Sequence, residues 1–255
     1  MKRLLILAAL AVVGAAQADT LLFDNASNFR NGVTGAGQTC TGSTPNTFMG
    51  DGYNLIAGAT SITGFDLFPA NVTGSTGPTF TNLQLTVYVW GTVNTTGTVN
   101  ATTPAFSNLL GTYVATASGT FSPGYYFPFE TGDPGATPGF TLGTPLSISS
   151  TQIGLTFNYQ GSTDGGVTYN NVNLLTSVVS YGTLASVGSN VFDGYYRNAN
   201  SETNGNFTSS LRSLGQVDQS VAVRVYGTAV PEPASIAAVG IGVVALIRRR
   251  RSRKA

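Results

Sequence analysis

The chain has 255 residues, 42% of them hydrophobic and only 9% charged, with 32 glycines and a formal net charge of +1. It contains no histidine and a single cysteine, Cys40, which excludes a Ser-His-Asp triad, a Cys-His pair, a histidine-ligated metal and an internal disulfide. Its basic residues crowd the two ends, leaving Arg30, Arg197, Arg212 and Arg224 between them against ten carboxylates; that negative, lysine-free middle excludes Schiff-base and Ser-Lys chemistry and offers no basic surface for nucleic acid.

In chain order, the first element is an export signal at residues 1–18. Met1-Lys2-Arg3 is a positive n-region, Leu4 to Ala16 an apolar stretch, and Ala16-Gln17-Ala18 a small-x-small cleavage site. The mature chain is expected to begin at Asp19, after cleavage by a signal peptidase.

Residues 19–229 read as one all-β domain. Gly, Thr, Ser and Asn are abundant, and strand alternation recurs where no 3.6-residue apolar period does. Strands are expected at Thr20–Asp24, Ile62–Phe68, Leu83–Trp90, Leu110–Thr116, Ile153–Tyr159, Val172–Ser180 and Val221–Tyr226. Turn clusters such as Gly74–Pro78 and Gly132–Gly135 separate them. Many short strands over this length predict a single two-sheet β-sandwich of jelly-roll type. Gly91 to Thr103, low in complexity and rich in hydroxyls, reads as a protruding hairpin or loop whose threonines could carry O-glycans.

Three residue sets bear on chemistry. Asp51, Asp66, Glu130, Asp133, Asp164 and Asp193 are the carboxylates a glycosidase would need to pair. Nothing in their spacing pairs them, and Asp51 and Asp164, each beside glycine, read as turn residues. Loop oxygens of this kind can take calcium, but no Asp-x-Asp-x-Asp run supports a site, so no metal or other cofactor is expected. Tyr88 and Trp90 share the less aliphatic face of the Leu83–Trp90 strand, where aromatics either stack on sugar rings or pack beneath other chain. Tyr125-Tyr126 and Tyr195-Tyr196 are further pairs, of which alternation would leave one member outward.

The C-terminal residues 230–255 have three parts. Pro231-Glu232-Pro233 precedes an apolar run from Ile236 to Ile247, followed by the basic cluster Arg248, Arg249, Arg250, Arg251, Arg253 and Lys254. This order resembles the PEP-CTERM sorting signal of Gram-negative-type bacteria, which a membrane transpeptidase called exosortase processes. From Ala234 to Ile247 a helix would span about 21 Å at 1.5 Å per residue, against about 30 Å of bilayer core. The segment therefore suits transient holding at the inner membrane, with its arginines on the cytoplasmic side. Asp51 to Gly58 followed by Ile62 to Asp66 is similar to the β-sandwich domains found ahead of such tails, a resemblance that implies no activity.

The resemblance implies an exported surface or extracellular-matrix protein in an exopolysaccharide or biofilm setting. Two functions stay open: a structural or adhesive domain without enzymatic activity, or a carbohydrate-binding module for exopolysaccharide with Tyr88 and Trp90 as contacts. A carboxylate-dependent glycoside hydrolase is the remote third.

Overall fold

The computed structural model describes residues 19–27, 37–40, 48–71, 77–95, 99, 103–132, 137–169, 175–181, 185–198 and 218–230. The signal segment, the sorting motif and the basic cluster lie outside them, as do Asp133 and the Cys40 side chain. Fourteen strands are described: β1 (Thr20–Asp24), β2 (Gly37–Cys40), β3 (Phe48–Asn54), β4 (Ala59–Leu67), β5 (Pro69–Asn71), β6 (Phe80–Val93), β7 (Phe106–Phe121), β8 (Phe140–Ser147), β9 (Gln152–Ser162), β10 (Leu175–Tyr181), β11 (Ser189–Asn190), β12 (Tyr196–Asn198), β13 (Ser220–Val221) and β14 (Val223–Ala229). The chain is all-β, with no helix among the described residues.

The strands form antiparallel sheets. One has the order β1-β14-β4-β8, a larger one the order β11-β3-β9-β6-β7 with β12 also on β3, and a small one the order β13-β10-β2 with β5 on β10. Alternation decides which faces meet. Leu83, Leu85, Val87 and Val89 of β6 and Ile153, Leu155 and Phe157 of β9 share one apolar cluster with Ile62, Phe65 and Leu67 of β4 and Val223 and Val225 of β14. Burying such side chains contributes about 1.5–3 kcal/mol each, so this shared cluster is the main source of cohesion in a chain without disulfides.

Several strands differ from the sequence expectation. The central hairpin is longer, because β6 and β7 pair from Phe80↔Phe121 to Val93↔Phe106; hydroxyl-rich ends that look loop-like still complete the ladder. The last strand is broken at Ala222. Val221 pairs with Val179 of β10, whereas Val223 pairs with Leu67 of β4. Asn25 bridges the break, its Nδ2 donating to the Val221 carbonyl and its Oδ1 accepting from the Val223 N–H. The backbone groups released by the sheet change are thereby satisfied, as buried groups must be.

Asp51 is also corrected. It sits within β3 and is 0% exposed, not in a turn. Its neighbour Gly52 is there for close packing: a Cβ on Gly52 would lie 2.9 Å from both Phe192 and Val191. Asp164 does sit in a turn after β9, with Gly165 and Gly166 at φ of 75° and 90°, a conformation that favours glycine. Ser162 Oγ–H and the Val167 and Thr168 N–H groups all donate to Asp164 Oδ1.

Candidate functional site

The aromatic pair on β6 comes first. Trp90 is only 3% exposed and belongs to a second apolar cluster with Phe48, Val93, Ala105, Phe106 and Tyr196. Its ring stacks on Phe106 with centroids 6.4 Å apart, and its Nε1–H donates to Thr156 Oγ1 at 3.0 Å. Phe106 fits there because β9 has Gly154 beneath it, where a Cβ would come within 2.3 Å of the ring. An enclosed indole has no free face for a sugar ring, so of the two readings of Trp90 its burial supports packing beneath other chain. Tyr88 is half-buried and packs at the rim of the same cluster, 5.8 Å from Phe48 by ring centroids; burial raises its pKa.

The other tyrosine pairs divide. Tyr125 is exposed, while its neighbour Tyr126 packs on a small cluster with Phe68 and Ala70. Tyr195 and Tyr196 are both buried, against the expectation that one would face outward. Tyr195 packs in the main apolar cluster and Tyr196 in the cluster of Trp90, so each of the two opposite directions meets a different cluster.

The carboxylates fall into two groups that sequence spacing did not reveal. Arg224, on β14 and 2% exposed, is the centre of the first. Its Nε lies 3.3 Å from Asp24 Oδ1, and its NH1 lies 3.2 Å from Asp66 Oδ2 and 2.6 Å from Glu130 Oε2. Its NH2 donates to Ser27 Oγ, Tyr226 Oη–H donates to Asp66 Oδ2, and the guanidinium stands 5.7 Å over the Phe68 ring. Burial alone would lower the guanidinium's pKa, but Asp24, Glu130 and Asp66 reverse that and leave it raised. Asp66 and Glu130 are thus held by one arginine in a structural tie between β1, β4, β14 and the segment before β8.

The second group surrounds a cleft of about 340 Å³ lined by Asn190, Phe192, Asp193 and Asp218, among others. Asp193 Oδ1 accepts the Gln219 N–H at 2.9 Å, and Asn190 Oδ1 is buried with no hydrogen-bond partner among the described residues. Asp51 lies close enough to be influenced by Asp193. Its Oδ1 accepts the Gly52 N–H and its Oδ2 the Val221 N–H. Burial raises the Asp51 carboxyl well above the usual range despite those bonds, and the Tyr53 hydroxyl rises for the same reason, with Asp51 adding to it. The cleft mixes the acids Asp193 and Asp218 with apolar Ala185, Val191 and Phe192. The signal for it in the sequence was only the density of Asp, Asn and Ser between 185 and 193.

At the other end of β14 the strand is locked between β1 and β4, and Val230 N–H donates to the Gly58 carbonyl at 2.8 Å. Residues 229–251 match the PEP-CTERM protein-sorting motif. This motif marks an exported protein that an exosortase-type enzyme processes while the chain is transiently held at the membrane. No curated protein matches the chain significantly. Among solved structures, a chain in the structure of infectious bursal disease virus Gx strain is similar at 12% identity and a TM-score of 0.27, over 94% of this chain and 50% of that one. The chain therefore spans about half the length of the viral chain, and so low a score carries no argument.

Proposed function

We propose that the β domain is a non-enzymatic structural or adhesive module of the cell surface or extracellular matrix. The observation that carries this reading is where the sorting motif begins. It starts at Ala229, the last residue of β14, a strand hydrogen-bonded along both edges. Load on the tail is shared by the β1 and β4 ladders, a geometry suited to a tethered module. The carboxylates that could serve a glycosidase support the same reading, since Asp66 and Glu130 are engaged by Arg224.

The finer fold reading is a jelly-roll sandwich. The strand orders β1-β14-β4-β8 and β3-β9-β6-β7 are those of eight strands wound as two Greek keys into facing sheets. The apolar cluster shared by both sheets supports it.

Exopolysaccharide binding is the second reading, favoured by the exposed ring of Tyr125 rather than by Trp90. Replacing Pro231-Glu232-Pro233 with three alanines in the producing cell tests the processing on which the first reading stands. The variant should keep its tail and stay membrane-bound, as read by intact mass and fractionation. Loss of the tail at the normal position would overturn it. Binding of the processed protein to exopolysaccharide, abolished by Tyr125→Ala, would move the assignment to the second reading.

A further inference from the structure

Strand β7 is a terminal strand of the large sheet, paired with β6 alone among the described residues. A free sheet edge is a row of unpaired N–H and C=O groups, and proteins usually guard it with charges, prolines, short strands or a covering segment. The other edges of the two large sheets are guarded. In the sheet order β1-β14-β4-β8, β8 carries Pro145 and β1 is five residues long with a register irregularity. The outer side of β3 is covered by β11 and β12.

Among the described residues β7 has no covering strand on its outer side, and the register shifts of its pairing lie outside its middle. It is 16 residues long and contains no proline and no Asp, Glu, Lys or Arg. Its pairing with β6 is regular over eight successive residues, Gly111 to Ser118, so alternate residues of that stretch aim both backbone groups outward. One face bears Thr112, Val114 and Thr116, all exposed, with Val114 at 54%. The other bears Tyr113, Ala115 and Ala117, which pack on the main core yet stay partly open. The core is therefore incomplete along this side.

We infer that β7 is the self-association edge of this protein, pairing antiparallel with β7 of a second copy. The occupant follows from charge and symmetry. The chain between its two terminal segments is six units negative, so two copies repel through most surfaces, but β7 contributes none of that charge. An antiparallel pairing of identical strands is self-complementary about a two-fold axis. With the axis at Val114, Thr112 faces the partner copy's Thr116, and Tyr113, Ala115 and Ala117 of both copies extend one continuous apolar layer. The inference deepens the surface-module reading by naming a partner, and it rests on that reading only for where the pairing is used.

The test uses the processed protein recovered from the producing cell. Light scattering after size-exclusion chromatography should give twice the monomer mass for the native protein. Two variants, Thr112→Asp/Thr116→Asp and Thr112→Lys/Thr116→Lys, should each give the monomer mass, and their mixture should restore the dimer. Both positions are exposed, so circular dichroism should match the native protein. A native protein monomeric up to millimolar concentration overturns the inference, as does a dimer that either variant leaves intact. A monomer that is still exported and processed leaves the surface reading standing; a dimer whose tail is cut without the Pro-Glu-Pro motif defeats that reading and leaves the pairing.

Discussion

The two large sheets are stabilised by different physics. In the sheet of β1, β14, β4 and β8, three strands carry a charge, and Asp24, Asp66 and Arg224 close with Glu130 into a buried ion cluster. In the other sheet, β6, β7 and β9 carry no charge at all, and cohesion comes from alternating aliphatic and aromatic side chains. The difference lies in how each fails. Apolar packing gives way by degrees, each deleted methylene costing its share. A buried ion cluster depends on every member, because removing one leaves the others charged and unsolvated.

The sharpest way to break this comparison is Arg224→Ala. It strands three carboxylates and should cost about 3–5 kcal/mol, read as a lower urea midpoint or loss of the folded form. A cost under about 1 kcal/mol would mean that the cluster is not a tie. Among the uncharged strands β6, β7 and β9, Leu155→Ala should cost about 2–5 kcal/mol and leave a cooperative transition of unchanged slope.

Asp51→Asn tests the buried acid that β3 brings to this second sheet. Asparagine turns an NH₂ toward one of the two N–H groups that Asp51 accepts, for about 1–3 kcal/mol. The sign of the pH dependence follows from burial, which raises the folded carboxyl above its unfolded value of about 3.9. The contribution of Asp51 is full below that unfolded value and falls as pH rises through the folded one. Asparagine does not titrate, so the gap between the two proteins should narrow from pH 4 to pH 8 in denaturant melts. A gap that widens would show that Asp51 is stabilised as an anion. The smallest effect expected is that of Trp90→Phe, about 1 kcal/mol for the lost bond to Thr156, with no change in affinity for polysaccharide.

Local pattern carried much of this molecule. The sorting tail was readable because its three parts are consecutive and each has its own chemistry. The strands Leu83–Trp90 and Ile153–Tyr159 were readable because a period of two is set by the pleat. Alternation separates two faces of a strand, however, and does not say what covers the second. Trp90 and Tyr196 went inside because Phe106 packs against both rings, and Tyr195 because the main core takes it up, from positions that no local window contains.

Charge was the least readable feature, for the same reason. Arg224 meets Asp24, Asp66 and Glu130 across 200, 158 and 94 residues of chain, so only the winding of β1, β4 and β14 beside one another makes them a cluster. Gly-Asp-Gly at 50–52 has the composition of a turn, yet tertiary contact made it a strand with room for Phe192 and Val191. The sequence by itself determined the all-β class, the faces of the central strands and the export tail, since each depends on neighbouring residues. The tertiary structure decided which carboxylates are bound, which aromatics are enclosed and which edge stays open, since each depends on strands that meet only after folding.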